Sequence, residues 1–170
     1  IREYATVNPG TGEGAKTVVG NDTWLMMNTH VAHNCVVGNH VKLSNVAALA
    51  GHVRVDDYAI VGGLTPVHQF VRIGRNAMIG GGLRVPQDVV PYTLAGGEPL
   101  QAGGLNSVGL ERCGFPPETV RILKDAYRII FRKKLTTQEA IKALQSDLPQ
   151  IPEVGVLVEF LSTSQRGFTR

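Results

Sequence analysis

The chain has 170 residues, 43% of them hydrophobic, with 17 Lys and Arg against 14 Asp and Glu and a formal net charge of +3. This is enough apolar material for one or two small domains, and no apolar run is long enough to cross a membrane. So mild a positive charge makes no case for nucleic acid, while leaving room for anionic small ligands or an acidic protein partner.

From the start of the chain an aliphatic residue returns every six positions: Ile1, Val7, Val19, Leu25, Val31, Val37, Leu43, Leu49, Val55, Val61, Val67, Ile73, Ile79 and Val85. Only Glu13 breaks the series, among Gly10, Gly12 and Gly14. A helix repeats at about 3.6 residues and a strand at about 2. A longer beat held over this distance predicts a hexapeptide parallel β-helix, in which three hexads make one triangular coil of about 18 residues. The recurring residue should point inward and stack on its copies, a role that suits β-branched Val and Ile. The next position is small at Gly20, Ala32, Gly38, Ser44, Ala50, Gly62, Gly74 and Gly80. That predicts sharp corners, with glycine supplying positive φ. Ile1-Arg2-Glu3 is already in register, with neither a secretory signal nor a cap, and reads as the middle of a β-helix with further coils ahead of Ile1. Cys35 and Cys113 give no disulfide framework and read as two reduced thiols in a cytoplasmic protein.

The β-helix is expected over residues 1–104 and an α-helical domain over 105–170. Residues 86–104 are rich in Pro and Gly and read as an irregular last coil and a linker. Pro116 and Pro117 before Glu118 then open a helix with Val120, Leu123, Tyr127, Ile130 and Phe131 on one apolar stripe. Lys124, Arg128, Arg132, Lys133 and Lys134 decorate its outside, as a solvated face or a dock for an acidic partner. Thr136 and Glu139 form a capping box for a second helix with Ile141, Leu144 and Leu148 inward. Pro149 and Pro152 end it, and Val154, Leu157, Val158 and Leu161 mark a third.

All five histidines fall inside the repeat. His52 lies 19 residues after His33, and His68 lies 35 after it, close to one coil and two. These three therefore share one edge of stacked coils about 5 Å apart, and His30 joins them in the segment of His33. A ladder of imidazoles adds little to an aliphatic prism and makes sense on an outer wall facing a ligand or another subunit. His40 falls outside this alignment and reads as ordinary surface. The His-x4-His spacing with which γ-class carbonic anhydrases bind zinc on such a scaffold is missing, and no metal is expected.

Three segments of this edge, His30-Val31-Ala32-His33-Asn34-Cys35, Leu49-Ala50-Gly51-His52-Val53 and Val67-His68-Gln69-Phe70, resemble the UDP-N-acetylglucosamine O-acyltransferases, the first enzymes of lipid A biosynthesis. Gly109-Leu110-Glu111-Arg112-Cys113-Gly114-Phe115 and Arg166-Gly167-Phe168 are similar to that family too. The resemblance implies a left-handed coil and a homotrimer with active sites between subunits. It implies transfer of an (R)-3-hydroxyacyl group from acyl carrier protein to the glucosamine 3-hydroxyl of UDP-N-acetylglucosamine. No cofactor is implied beyond the phosphopantetheine that the carrier protein brings.

Within that resemblance His33 matches the general base, which a weakly acidic sugar hydroxyl requires. Gly51 matches the residue whose backbone N–H stabilises the oxyanion. His30, His52 and His68 match substrate contacts; Gln69, Asn106 and Arg112 match positions holding the nucleotide end, where Arg suits phosphate. Gly81 matches the position that measures acyl-chain length; it also reads as a plain corner glycine. Two positions depart from the family. Asn34 stands where an Asp usually follows the catalytic His, so it can orient the imidazole without a charge. Cys113 stands where a second Arg is common. Other readings of the same scaffold are the related N-acyltransferase, an acetyl-CoA-dependent sugar acetyltransferase, and a non-catalytic β-helix.

Overall fold

The computed structural model describes residues 1–170. Its strands in chain order are β1 (Thr6–Val7), β2 (Val18–Val19), β3 (Trp24–Leu25), β4 (His30–Val31), β5 (Val36–Val37), β6 (Lys42–Leu43), β7 (Ala48–Leu49), β8 (Arg54–Val55), β9 (Ile60–Val61), β10 (Pro66–Val67), β11 (Arg72–Ile73) and β12 (Met78–Ile79). They stack into three parallel sheets, β1-β4-β7-β10, β2-β5-β8-β11 and β3-β6-β9-β12, the three faces of a prism. The usual register step is one coil of 18 residues, as in His30 against Ala48.

Burial follows the six-residue beat. From Leu25 to Val85 every recurring aliphatic is at most 2% exposed. A second inward column, not anticipated from the sequence, lies two residues ahead of the next aliphatic: Cys35, Val41, Ala47, Val53, Ala59, Val71 and Ala77 are fully buried. At Thr29 and Thr65 the same column buries hydroxyls, which donate to the backbone of Met26 (2.9 Å) and Gly80 (3.2 Å).

Two local expectations need correction. First, Glu13 is not a hexad member. Thr6 of β1 pairs with His30 of β4, a step of 24 residues, so six residues are extruded as a loop between β1 and β2, and exposed Glu13 belongs to it. Second, the small residue after each inward aliphatic does not supply positive φ. Gly20, Gly38, Gly62 and Gly74 lack it; a Cβ at any of them would lie 2.4–2.6 Å from the next coil. Those positions are small because coils pack closely there. The left-handed residue comes two positions later and is Asp22, Asn28, Asn34, His40, Val46, His52, Tyr58, Leu64, Phe70 or Asn76, with φ of 53–64°. Non-glycine residues pay roughly 1–2 kcal/mol for that conformation, offset here by stacking on the coil above, as in His40 on Tyr58 at 4.6 Å between ring centroids.

The Pro- and Gly-rich segment is more ordered than a linker. β13 (Thr93–Gly96) extends the third sheet in parallel with β12, and β14 (Gln101–Leu105) returns antiparallel to it. A short helix unforeseen from the sequence, α1 (Ser107–Arg112), follows. Then come α2 (Pro117–Arg132), α3 (Thr137–Asp147) and α4 (Pro152–Ser162). Prolines sit in the first turns of α2 and α4, where no intrahelical donor is lost. The capping box of α3 forms, with the Glu139 N–H donating to Thr136 Oγ1 (3.3 Å) and the Thr136 N–H to Glu139 Oε2 (2.8 Å). Leu123, Ile130, Leu144, Val154, Leu157 and Phe160 pack with Val90 and Tyr92 of the last coil into a second core. Burial pushes the Tyr92 phenol well above its ordinary pKa.

One polar joint ties helices to coils. Asp88, 2% exposed at its side chain, accepts from the Arg72 guanidinium (3.0 Å), the Arg72 backbone N–H (2.8 Å) and Ser164 Oγ (2.9 Å). Arg72 also donates to the Phe160 carbonyl and to Thr163 Oγ1, both at 2.8 Å, and stacks over the Phe160 ring. Breaking a buried pair by removing one partner strands the other charge. Asp88→Ala should therefore cost about 3–5 kcal/mol in urea unfolding; a loss below about 1 kcal/mol would show the joint to be ordinary surface electrostatics.

Candidate active site

The corner after the first sheet carries most of the candidate site residues. Each chain segment leaves an inward residue, Val31, Leu49 or Val67, and turns: Ala32-His33-Asn34, Ala50-Gly51-His52, His68-Gln69-Phe70. Because the coils repeat at 18 residues, His33, Gly51 and Gln69 stack at one turn position and Asn34, His52 and Phe70 at the next. The stack is hydrogen-bonded through the turns themselves: the His52 N–H donates to the His33 carbonyl (3.0 Å) and the Phe70 N–H to the Gly51 carbonyl (3.1 Å).

His33 is half-buried and outside the core cluster. Its ring occupies the space a Cβ of Gly51 would need: such a Cβ would lie 2.7 Å from both Cε1 and Nε2. The ring can hold this place because position 51, at a buried backbone, has no side chain. His33 Nδ1 lies 2.8 Å from Asn34 Oδ1 and 3.2 Å from Thr11 Oγ1. The His52 ring meets His33 edge-on at 5.2 Å between centroids and stacks flat on Phe70 at 4.7 Å. His30 projects from β4, its Nδ1 2.8 Å from Oγ1 of Thr6, its register partner on β1. His68 Nδ1 donates to the Gln69 carbonyl at 3.1 Å, and Gln69 itself is exposed.

Beneath this corner Cys35 is buried, donates to the Ala50 carbonyl (3.1 Å), and has its thiol pKa raised by burial. It is a packing residue, since the reactive form is the thiolate. A cleft of about 610 Å³ runs from His52 and Phe70 past Arg54 to Gln165 and Arg166.

The remaining candidates lie elsewhere in the protomer. Gly81 is exposed at the corner after the third sheet, stacked under Gly63. Asn106 is buried at the start of α1; its Nδ2 donates to the Asn76 carbonyl (2.9 Å) and its Oδ1 accepts from the Gly109 N–H (3.2 Å). Both ends of its amide are thereby engaged, Oδ1 in capping the helix and Nδ2 in tying it to the coils. Arg112 is exposed in the last turn of α1. Cys113 accepts from Asn76 Nδ2 at 3.3 Å, so the side chain in place of a second Arg is tethered to the β-helix.

Sequence reasoning missed Thr11 and Thr17. Thr11 belongs to the extruded loop and Thr17 lies immediately before β2, and both reach Asn34: Thr17 Oγ1 accepts from its backbone N–H at 2.9 Å. The one available signal was the broken beat at Glu13.

A stack of hexapeptide coils bearing imidazoles on an outer corner defines a transferase of the bacterial hexapeptide class, and residues 16–47 match the family profile for six such repeats. Residues 88–169 match the second domain of the UDP-N-acetylglucosamine O-acyltransferases. The acyl-[acyl-carrier-protein]–UDP-N-acetylglucosamine O-acyltransferase of Burkholderia thailandensis is 43% identical over the whole chain, which spans 67% of that relative. The LpxA structure from Acinetobacter baumannii superposes with a TM-score of 0.95 at 40% identity, covering all of this chain and 67% of that one. The UDP-N-acetylglucosamine acyltransferase of Francisella novicida gives a TM-score of 0.95 at 36% identity, over all of this chain and 63% of that one. The chain belongs to the UDP-N-acetylglucosamine O-acyltransferase family.

If the His33 ring rests where the Gly51 Cβ is missing, Gly51→Ala must swing it off the corner. The expected readout is a displaced His33 Cε1–H resonance with Tm changed by less than about 5 °C. An unmoved resonance would mean that the ring does not depend on that gap.

Proposed function

We propose that this corner catalyses transfer of an (R)-3-hydroxyacyl group from acyl carrier protein to the 3-hydroxyl of UDP-N-acetylglucosamine, with His33 as general base. His33 Nε2 takes the proton from the sugar hydroxyl as its oxygen attacks the thioester carbon. The tetrahedral oxyanion is met by the Gly51 backbone N–H. Collapse breaks the C–S bond, and the imidazolium returns its proton to the leaving phosphopantetheine thiolate. His30, His52, His68 and Gln69 surround the sugar on the same wall, and Arg112 serves the diphosphate.

The observation that carries this reading is the placement of the His33 ring. Asn34 Oδ1 takes up Nδ1 at 2.8 Å, and the ring lies over Gly51 at a corner open to solvent. That leaves Nε2 as the basic nitrogen beside a backbone amide. The full set of candidates is spread over different corners of one prism, so one protomer does not gather it. A homotrimer, with each site completed by a neighbour, brings separated corners together. In this reading the protein works in the cytoplasm; no helix is long and apolar enough to cross a membrane. It needs no cofactor of its own, since the carrier protein brings the activated acyl group.

His33→Ala should lower acyl transfer from 3-hydroxyacyl carrier protein by at least about 10³-fold, at the upper range of general-base contributions, while sedimentation still reports a trimer. Near-normal turnover in that variant, or a preference for acetyl-CoA as donor in the unmodified protein, would refute the assignment. Gly81 bears on chain length. A Cβ there would lie 3.0 Å from the Gly63 carbonyl oxygen, a contact relieved by a small shift, and the rest of a longer side chain would extend from an exposed position. Gly81→Met is expected to turn donor preference towards shorter acyl chains in a competition assay; an unchanged preference would leave Gly81 as a close-packed corner only.

A further inference from the structure

The loop extruded from the first coil has no part in the scheme above, yet its tip lies on the residue that orients the base. Asn34 Oδ1 accepts from the Thr11 N–H (3.1 Å) and the Thr11 hydroxyl (2.9 Å), and Asn34 Nδ2 donates to the Thr11 carbonyl (3.3 Å). Asn34 is itself fixed in the left-handed region at φ 61°, its N–H donating to Thr17 Oγ1. The loop therefore grips this one side chain at both amide ends, while Thr17, immediately before β2, holds the backbone N–H.

This grip decides a question an asparagine otherwise leaves open. The two ends of its amide have almost the same shape, and only the hydrogen-bonding partners tell them apart. A backbone N–H can only donate and a backbone carbonyl can only accept. The Thr11 peptide groups consequently force Oδ1 to the side where His33 Nδ1 lies, and Nδ2 away from it. An oxygen at 2.8 Å from Nδ1 requires that this nitrogen carry the hydrogen. The Thr11 hydroxyl, its own hydrogen given to Oδ1, turns a lone pair towards Nδ1 at 3.2 Å and adds a second acceptor. A flipped amide would present Nδ2 instead, move the hydrogen to Nε2, and leave no base facing the corner.

We propose that Thr11 is a positioning residue: by locking the Asn34 amide it sets His33 in the Nδ1–H tautomer, a role that rests on the reading of His33 as general base. An aspartate at position 34 would need no such lock, because its two oxygens are equivalent, and one of them would face the Thr11 carbonyl without a hydrogen between them. The loop and the asparagine form one device.

The test reads the tautomer directly. The chain is labelled with ¹⁵N-histidine and the two His33 ring nitrogens are assigned by long-range ¹H–¹⁵N correlation, at a pH where the ring is neutral. The protein as it stands and Thr11→Ser should both show Nδ1–H with an unprotonated Nε2. Thr11→Val keeps both peptide groups that hold the amide and should also keep Nδ1–H. A deletion of residues 10–15, which restores the 18-residue coil and removes those groups, should show averaged tautomers. In the deletion variant kcat should fall about tenfold, the value of one hydrogen bond, with KM within about twofold. An Nε2–H tautomer in the unaltered protein overturns the proposal. So does an unchanged tautomer and kcat in the deletion variant, or a lost Nδ1–H tautomer in the valine variant. The two readings fail separately: a His33→Ala protein that still transfers acyl groups removes the base while leaving the tautomer result intact.

Discussion

Every coil of this protein hands its backbone donors to the coil next to it, and that single arrangement governs the rest. The His30 N–H reaches the Ala47 carbonyl, Val36 reaches Val53, and Lys42 reaches Ala59, each at 3.0 Å. A ladder of this kind spaces successive coils by roughly 4.8 Å and lets no coil differ in path from its neighbours without leaving buried peptide groups unpaired. The outside inherits the same order. Side chains at one turn position form columns at the spacing of ring contacts, so an 18-residue separation in the chain becomes a 4.7 Å separation between His52 and Phe70. Where extra residues occur they must leave the prism altogether, and between β1 and β2 they do.

The same constraint explains what could be read from the sequence. The inward aliphatics, the parallel stacking and the shared edge of His33, His52 and His68 depend only on the period, and the period is written in Val, Leu and Ile. The helices α2 and α3 announce themselves through Pro117 and through the Thr136–Glu139 pair, which act locally. What escaped depends on the coil above. Gly38 is small because Asp57 Oδ1 would lie 2.5 Å from its Cβ, a contact 19 residues away that resembles a turn preference in the sequence. Asn34, His52 and Phe70 take the left-handed turn although nothing in their types as a set asks for it. Helix α1 has Gly109 within it and no apolar stripe; it forms because the buried Asn106 caps it while bonding to Asn76. Thr11 was invisible for the same reason: its partners are 22 and 23 residues away.

The candidate base sits in a neutral setting. Its orienting partner is an amide, and the contacts on Nδ1 come from Asn34 and Thr11, both uncharged. In a Ser-His-Asp arrangement the carboxylate both aims the imidazole and stabilises its cation. Here the first task falls to the amide and its loop, and the second has only dipoles to rely on. The cations nearby, Arg54 and Arg166 in the adjoining cleft, favour an anionic visitor. In the proposed reaction the ring holds the proton only briefly, between an alcohol and a thiolate.

A corner of a prism is convex, and convexity has a chemical cost. Stabilising an oxyanion with one backbone N–H is effective when water is kept out, because hydrogen bonds strengthen in a low local dielectric. The turn Ala50-Gly51-His52 carries the proposed donor but not the cover: His52, Gln69 and Phe70 are exposed on the single protomer. The straight stack cannot bend to enclose its own edge, since every coil is held parallel to the next. The cover has to come from a surface outside the protomer's own coils; in the homotrimer proposed above, a second copy of the same prism supplies it. In that proposal the stiffness that aligns the imidazoles is also what calls for a site shared between subunits.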